Sequence, residues 1–339
     1  MRLLIKKTLI SNHLTASITV FHIIVILYLV TINYSTTMFP KNVIIFTILL
    51  CFLSCNDQKK TTEDTKAAIN TEEQEVVNSA KKPSTAQANV VVLNKEFELP
   101  GLNRTRKIRL YLPPSYTTTT NKYPVIYMHD AQNLFDDATS YAGEWGVDES
   151  LNTLASSANF EVIVVGIDNG AENRTNEMSP WDHPDFGKGE GEVYTNFIIN
   201  TIKPYIDANY RTLSDKENTA IMGSSMGGFI SHYAAYQHPE VFGKVGIFSP
   251  SYWFSDQVFT LTKNKPLDKN HKIYLLAGLK EGSEMSENTQ RMYDEIVAAS
   301  HPKENIQVFI DPEGEHNEGF WKKHFTKAIV WMFDQHQNL

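Results

Sequence analysis

A serine with a glycine two positions away on each side is the residue best placed to act as a nucleophile. The run Gly223-Ser224-Ser225-Met226-Gly227 joins an apolar stretch to a helical pattern. A serine on a sharp strand-to-helix turn crowds its neighbours, so the flanking positions must be small. The turn would raise the Ser225 hydroxyl above the sheet edge and place the Met226 N–H at a helix N-terminus, where it can stabilise an oxyanion. An ordinary glycine-rich turn also fits these five residues, so the rest of the chain must decide.

Alternating strand and helix patterns begin at Val90 and would position this turn. The later apolar runs are short and β-branched, as buried parallel strands are, whereas a turn-rich link at 99–103 favours an antiparallel hairpin between the first two runs. The alternation predicts an α/β fold, a mostly parallel eight-stranded sheet with helices on both faces. The predicted strands are 91–98, 107–112, 124–129, 161–167, 219–224, 244–249, 272–277 and 306–311; the predicted helices include 148–156, 191–208, 227–237 and 286–299.

Strand order places a base and an acid at the same sheet edge as the serine. Ser225 follows the fifth predicted strand, Glu281 the seventh and His316 the eighth, which is the chain order that α/β-hydrolases use. A serine hydroxyl is a weak nucleophile until a base such as imidazole takes its proton, and a carboxylate holds the imidazole in the required tautomer. Glu281 is the predicted acid because it lies closest to its strand end, and Glu284 and Asp311 are the alternatives.

Several blocks, in order over about residues 95–335, resemble the Putative esterase family of α/β-hydrolases. That family includes enterochelin, feruloyl and acetyl-xylan esterases, S-formylglutathione hydrolases and mycolyltransferases. The resemblance implies the α/β-hydrolase fold and hydrolysis of carboxylic acyl esters without a cofactor. The blocks that carry it are RLYLPPSY (109–116), HDAQNLFD (129–136), VGIDNG (165–170), Arg174, EMSP (177–180), GSSMGG (223–228), FSPSYW (248–253) and GEHN (314–317).

One position departs from the family pattern and bears on the oxyanion hole. Ala131 stands where relatives commonly have glycine. Alanine still offers its N–H, but a positive φ there would be strained. The second oxyanion donor, beside Met226, is therefore either Ala131 or Gln132.

Three further side chains are candidates for binding substrate. Trp253 and Tyr252 follow the sixth predicted strand and would form pocket walls, with core packing as the alternative. Arg174 would either pair with Glu177 and shape the rim of the pocket, or contact an anionic substrate.

Composition excludes several other classes of function. The 339 residues carry a net charge of −8 and a pI near 5.8, so no basic surface suggests nucleic acid. The only cysteines, Cys51 and Cys55, lie in the N-terminal apolar region, which leaves the folded part without a disulfide or a cysteine metal site. Asp130 and Asp136 are expected to cap turns rather than to bind a metal.

The N-terminal region resembles a bacterial lipoprotein signal. The apolar run 43–53 ends in Leu-Ser followed by Cys55, which would be lipidated and become the mature N-terminus. Met38 lies where such a signal would start, so residues 1–37 are interpreted as an over-called start; a membrane segment at 18–32 is the competing interpretation. The predicted organisation is a signal peptide and lipoprotein leader (1–55), a flexible tether (56–89) and a catalytic domain (90–339).

These observations predict a serine esterase that is anchored by lipid to the membrane of a bacterial cell envelope and faces the periplasm or the exterior. It would hydrolyse a small-molecule or glycan ester through Ser225, His316 and Glu281 and an acyl-enzyme. An acyltransferase that uses the same triad, and a non-catalytic binding module on the same fold, are the alternatives. The acyl group, the alcohol and the oligomeric state are left open.

Overall fold

The computed structural model describes residues 82–334, whose centre is an eight-stranded sheet. The strands are β1 (Val90–Val92), β2 (Phe97–Leu99), β3 (Arg104–Arg106), β4 (Ile108–Tyr111), β5 (Val125–His129), β6 (Ile163–Ile167), β7 (Thr219–Ser224), β8 (Lys244–Phe248), β9 (Lys272–Gly278) and β10 (Ile306–Asp311). The sheet has the order β1-β4-β6-β5-β7-β8-β9-β10, in which β4 runs antiparallel to β1 and β6 and the remaining pairs are parallel. This confirms the predicted, mostly parallel α/β sheet.

The first predicted strand, 91–98, is two strands in the structure. The polar residues 94–96 separate β1, which pairs with β4, from β2, which forms a small antiparallel hairpin with β3. Gly101 and Asn103 adopt positive φ in the connecting turn, as a tight hairpin turn requires. The predicted hairpin therefore exists, but it joins β2 to β3 and stands outside the main sheet.

Helices cover both faces of the sheet and create two apolar cores. Successive residues of a strand point to opposite faces, so Val125 and Tyr127 of β5 lie in one core whereas Ile126 and Met128 lie in the other. The helices are α1 (Val147–Ala158), α2 (Arg174–Glu177), α3 (Gly191–Phe197), α4 (Lys203–Asn209), α5 (Met226–Gln237), α6 (Gln257–Asn264), α7 (Ser283–Ala298) and α8 (Glu318–Met332). Helices α3 to α7 contribute to the first core, and α1 and α8 contribute to the second.

The predicted helix 191–208 contains a π-helical turn, Ile198–Ile202, between α3 and α4. Pro204 lies in the first turn of α4. Proline has no N–H, and its ring crowds the carbonyl four residues earlier, so regular α-helical bonding cannot continue through it. The π turn absorbs this interruption.

The folded part begins before Val90, earlier than composition indicates. Residues 84–89 fall within the predicted tether, yet the Thr85 N–H donates to Asp136 Oδ1 at 3.1 Å and the Gln87 N–H donates to Asp148 Oδ2 at 2.8 Å. Asn89 Nδ2 donates to the Leu112 carbonyl at 2.7 Å. The last residues of the predicted tether are thus bound to the domain. The leader, with Cys51 and Cys55, lies outside the described residues.

Within residues 82–334, no helix has both the length and the apolar character needed to cross a bilayer. The same residues contain no cluster of three or more His, Cys, Asp or Glu side chains that could hold a metal ion. Asp136 accepts a hydrogen bond from the Ala138 N–H, which is the turn-forming role expected for it, and it also accepts hydrogen bonds from the distant residues Ser84 and Thr85.

Candidate active site

Ser225 occupies the sharp turn between β7 and α5. Its φ of 57° and ψ of −125° lie outside the regions that non-glycine residues favour, a strain typical of functional turns. A Cβ on Gly223 would lie 2.7 Å from the carbonyl carbon of Gly227. That close approach explains why a side chain is not tolerated at Gly223. The Ser225 N–H donates to the Phe248 carbonyl at 2.9 Å, which fixes the turn to the neighbouring strand β8.

A cavity of about 700 Å³ opens at this turn. Ser225 and His316 both line it, so the fold brings the predicted nucleophile and base to one site although they are far apart in sequence. Other lining residues come from the loop after β5, from the loop after β6 and from the start of α8; they include Gln132, Asn133, Tyr141, Trp145, Asn169, Arg174, Glu318 and Trp321.

Glu281 is the carboxylate that faces His316. It lies in a short 3₁₀ turn directly after β9, and its Oε2 is 3.8 Å from His316 Nδ1. The Glu281 side chain is fully buried, whereas the His316 side chain is 39% exposed. Oε2 has no hydrogen-bond partner among the residues that the structure describes. A closure of about 1 Å would give it one in His316, and such tightening on substrate binding is common.

Two side chains that sequence analysis did not single out hold Glu281. The Ser249 hydroxyl donates to Glu281 Oε1 at 2.6 Å, and Trp321 Nε1 donates to Ser249 Oγ at 2.9 Å. The Trp321 ring also stands edge-on to the His316 imidazole, with 5.2 Å between centroids. Ser249 itself has a positive φ of 42°. The chain Trp321–Ser249–Glu281 therefore fixes one carboxylate oxygen and leaves the other for the imidazole.

Of the two alternative acids, Asp311 is bound to other side chains and Glu284 is exposed. Asp311 Oδ2 accepts hydrogen bonds from Lys323 Nζ and His324 Nε2, each at 2.8 Å. The hydrogen bond from Lys323, followed by one from the backbone of Glu313 and one from His324, lowers the pKa of Asp311. Glu284 lies in the first turn of α7 and is exposed.

The predicted oxyanion loop forms a short 3₁₀ turn, residues 131–133, immediately after β5. The positive φ considered for Ala131 falls one residue earlier, on Asp130 at 56°. Ala131 is therefore unstrained, and it is completely buried, whereas Gln132 lines the cavity. Met226 is the first residue of α5, next to Ser225. Met226, at the start of α5, and Ala131 and Gln132, in the turn after β5, thus lie where oxyanion donors are expected, and of the last two only Gln132 lines the cavity.

Arg174 lines the cavity but does not pair with Glu177, contrary to one of the two alternatives considered. Its Nε and Nη2 donate to the two oxygens of Asp130 at 2.6 and 2.9 Å. Glu177 instead forms a buried ion pair with Arg106 and accepts a hydrogen bond from Arg104 at 2.9 Å. Arg174 therefore reaches the oxyanion loop directly.

The two aromatic candidates lie outside the cavity lining. Tyr252 is 2% exposed, and its hydroxyl bonds to His232 Nδ1 at 2.8 Å in the core, which matches the packing alternative. Trp253 is 47% exposed and lies beside Phe186 and Phe254. Their neighbour Ser251 does approach the site, since its Oγ is 3.3 Å from Ser225 Oγ.

A second buried acid at the cavity, Glu318, was not anticipated. It is the first residue of α8, and its Oε1 accepts a hydrogen bond from Asn133 Nδ2 at 3.2 Å. Burial raises the pKa of Glu318, and the nearby charge of Asp130 adds to that effect. Asn317, just before it, caps α8 by accepting a hydrogen bond from the Phe320 N–H. This cap fixes where the His316 loop ends.

A model of one protein family, and several known proteins, match most of the described residues. The family described as Putative esterase matches residues 100–332. Protein YbbA of Bacillus subtilis (strain 168), which is uncharacterized, is 26% identical over 248 residues, covering 69% of this chain and 94% of that protein. The iron(III) salmochelin esterase of Escherichia coli O6:H1 (strain CFT073) is 23% identical over 235 residues, covering 65% of this chain and 52% of that protein.

Solved structures show the same fold. The crystal structure of the BES protein from Bacillus cereus has a TM-score of 0.61 at 17% sequence identity, over 80% of this chain and 99% of that chain. The enterobactin esterase FES from Shigella flexneri has a TM-score of 0.58 at 17% identity, over 75% of this chain and 61% of that chain. The predicted α/β-hydrolase fold is confirmed.

Proposed function

The chain belongs to the Putative esterase family and is a carboxylic ester hydrolase, and we propose that it works through the triad Ser225, His316 and Glu281. The observation that carries this proposal is the approach of the buried, unpartnered Glu281 Oε2 to His316 Nδ1 at the cavity where Ser225 stands. That approach supports Glu281 as the group that orients His316, at a cavity that Ser225 also lines.

The proposed reaction has two halves. His316 takes the Ser225 proton while Ser225 Oγ attacks the ester carbonyl, and the resulting oxyanion accepts hydrogen bonds from the N–H groups of Met226 and Gln132. His316 then gives its proton to the leaving alcohol, which departs and leaves an acyl group on Ser225. Water, deprotonated by His316, attacks this acyl-enzyme and releases the acid. Glu281 holds the imidazole tautomer and stabilises the imidazolium throughout.

Solvent access allows hydrolysis of the acyl-enzyme. The His316 side chain is 39% exposed, and the cavity it lines is open, so water can reach the acyl-enzyme beside the base. A volume of about 700 Å³ suits a small-molecule ester. The relative named an iron(III) salmochelin esterase supports a siderophore-type ester as the first substrate to assay.

We further propose that the enzyme is a lipoprotein of a bacterial cell envelope, joined to the membrane through Cys55. The support is the apolar run 43–53 followed directly by Ser54-Cys55. The mature chain would then hold the catalytic domain at the end of a tether that faces the periplasm or the exterior.

Labelling with a fluorophosphonate probe tests the proposed nucleophile. The full chain should be labelled once and inactivated, and Ser225→Ala should abolish both labelling and ester hydrolysis, with activity falling by a factor on the order of 10⁶. Ser224→Ala is the matched control because Ser224 is the preceding residue, at the end of β7. Labelling of the Ser225→Ala protein, or equal losses in both variants, would contradict the assignment.

A further inference from the structure

Asp130 has a backbone conformation that aspartate adopts only at a cost. Its φ of 56° and ψ of 45° are left-handed, a region that costs an L-residue about 1–2 kcal/mol and that glycine enters freely. The residue directly precedes the 3₁₀ turn that carries Gln132. A change of this one residue to an ordinary φ would therefore redirect the N–H groups at the start of the turn.

Three charge-assisted hydrogen bonds hold the Asp130 carboxylate. Arg174 grips both oxygens through Nε and Nη2, and Asn169 Nδ2 donates to Oδ1 at 2.6 Å. Asp130 is only 8% exposed, so its charge needs these partners. This bidentate pairing fixes the orientation of the Asp130 carboxylate as well as matching its charge. A lysine ammonium could match the charge but could not fix the orientation in this way.

The same loop also fixes Gln132 itself. The Asn169 N–H donates to Gln132 Oε1 at 3.0 Å, while the Asn169 side chain holds Asp130. Asp130 in turn lies against the first turn of α5, since a Cβ on Gly227 would be 3.3 Å from Asp130 Oδ2. We call the hydrogen-bonded group of Asp130, Asn169 and Arg174 the clamp. It links the loop after β6 to both parts of the proposed oxyanion hole.

We infer that Arg174 is a positioning residue: by holding the Asp130 carboxylate it keeps Asp130 left-handed and so keeps the Gln132 N–H aimed at the oxyanion. This inference rests on the proposed oxyanion role of Gln132. It replaces recognition of an anionic substrate as the role of Arg174, because the guanidinium charge is already matched by Asp130. Glu318, the other carboxylate at the cavity, also contributes a favourable charge near Arg174.

The test compares two replacements of Asp130 in a protein that already carries Arg174→Gln and so lacks the guanidinium that holds Asp130. Arg174→Gln should lower kcat on a neutral aryl acetate by about 10²-fold, the size expected for one lost oxyanion donor, with KM changed less than about threefold. Adding Asp130→Gly should raise kcat about tenfold above that of Arg174→Gln, because glycine takes the left-handed conformation without a partner. Adding Asp130→Ala should restore none, since alanine removes the same carboxylate but resists positive φ.

Arg174→Lys provides a milder variant, which keeps the charge and loses the bidentate pairing, and it should fall between Arg174→Gln and the parent in kcat. Circular dichroism and melting temperature identify any variant that is unfolded. Equal rescue by glycine and alanine would overturn the inference, because removal of charge alone would then suffice. A rise in KM confined to an aryl ester with a carboxylate on its acyl chain would overturn it in favour of substrate binding. Failure of the proposed triad would show separately, as full activity in Ser225→Ala.

Discussion

His316 Nδ1 and Glu281 Oε2 face each other across 3.8 Å, and this carboxylate oxygen has no other partner among the residues that the structure describes. The other Glu281 oxygen is held by Ser249. A buried carboxylate with one oxygen fixed and one aimed at an imidazole is prepared to orient that imidazole. The gap is longer than a hydrogen bond, so we expect it to close when a substrate displaces water and His316 gains positive charge.

Glu281→Gln should fold normally but should lower kcat by a factor on the order of 10⁴, because an amide cannot stabilise the imidazolium. Glu284→Gln and Asp311→Asn should each lose less than about tenfold, roughly 1.4 kcal/mol of barrier. Steady-state kinetics on an activated aryl ester measure the rates, and circular dichroism checks folding. A Glu281→Gln enzyme with nearly parental kcat would move the acid to one of the other two carboxylates.

Trp321→Phe should lower kcat by about tenfold with little change in KM, because it removes the donor that holds the Ser249 hydroxyl against Glu281. The loss corresponds to about one hydrogen bond in a buried chain. Trp331→Phe is the matched control: Trp331 lies on the same helix, α8, but packs on Tyr274 away from the cavity. If both variants lost the same activity, the effect would belong to the stability of α8 rather than to Glu281.

The sequence allowed prediction of the site residues that follow the ends of strands, but not of the contacts between distant loops. Ser225, Glu281 and His316 each follow a short apolar run, and parallel strands bring their carboxyl ends to one edge of the sheet. Ser249 and Trp321 are 72 residues apart, and Asp130 and Arg174 are 44 apart. No period or spacing in one sequence indicates such pairs, because they depend on how loops fold back over the sheet.

Some features lie at positions that residue types and the family pattern do not indicate. The family pattern, with its glycine, points to a positive φ at Ala131, but the positive φ falls on Asp130, where Arg174 and Asn169 hold the side chain. The exposed Trp253 and the buried Tyr252 are adjacent in sequence, and nothing in their types indicates which one faces solvent.

Cys55→Ser should release the protein from membranes, because the thiol that would carry the lipid is absent. A gene that starts at Met38 should yield the same mature product as the full one. Fractionation of cells, with metabolic labelling by a fatty acid, measures both. Retention of Cys55→Ser in the membrane, without labelling, would instead support an uncleaved anchor at 18–32 or 43–53.

A chain that begins at Val90 should be less stable than one that begins at Lys82, the first residue that the structure describes. The shorter chain lacks the Gln87 N–H on Asp148, the Thr85 N–H on Asp136 and the Asn89 amide on Leu112. Loss of about 1–2 kcal/mol would lower the melting temperature by several degrees. Calorimetry on both chains measures the two melting temperatures. Equal values would mean that residues 82–89 add no stability to the domain and belong to the tether.

Asp148 should make the protein less stable as pH rises toward neutrality. It lies in the first turn of α1, fully buried; Oδ2 accepts from the Gln87 N–H, but Oδ1 has no partner among the described residues. Burial, with a contribution from the neighbouring Glu149, raises the pKa of Asp148 to about 7, against about 3.9 in an unfolded chain. The folded state therefore binds more protons than the unfolded state between these two values, and the free energy of unfolding falls as pH rises through that interval.

Asp148→Asn should remove this fall, because the amide keeps an acceptor for Gln87 and never ionises. The variant should gain stability over the parent as pH rises from about 4 to 7, and the gain at pH 7 should be about 2–4 kcal/mol. Urea unfolding at about pH 4, 5.5 and 7 measures the difference across the interval in which the parent loses stability. Glu172→Gln, at an exposed position, is the control for loss of one negative charge. A constant gain at every pH, or the same gain in Glu172→Gln, would assign the effect to net charge instead of to the buried carboxyl.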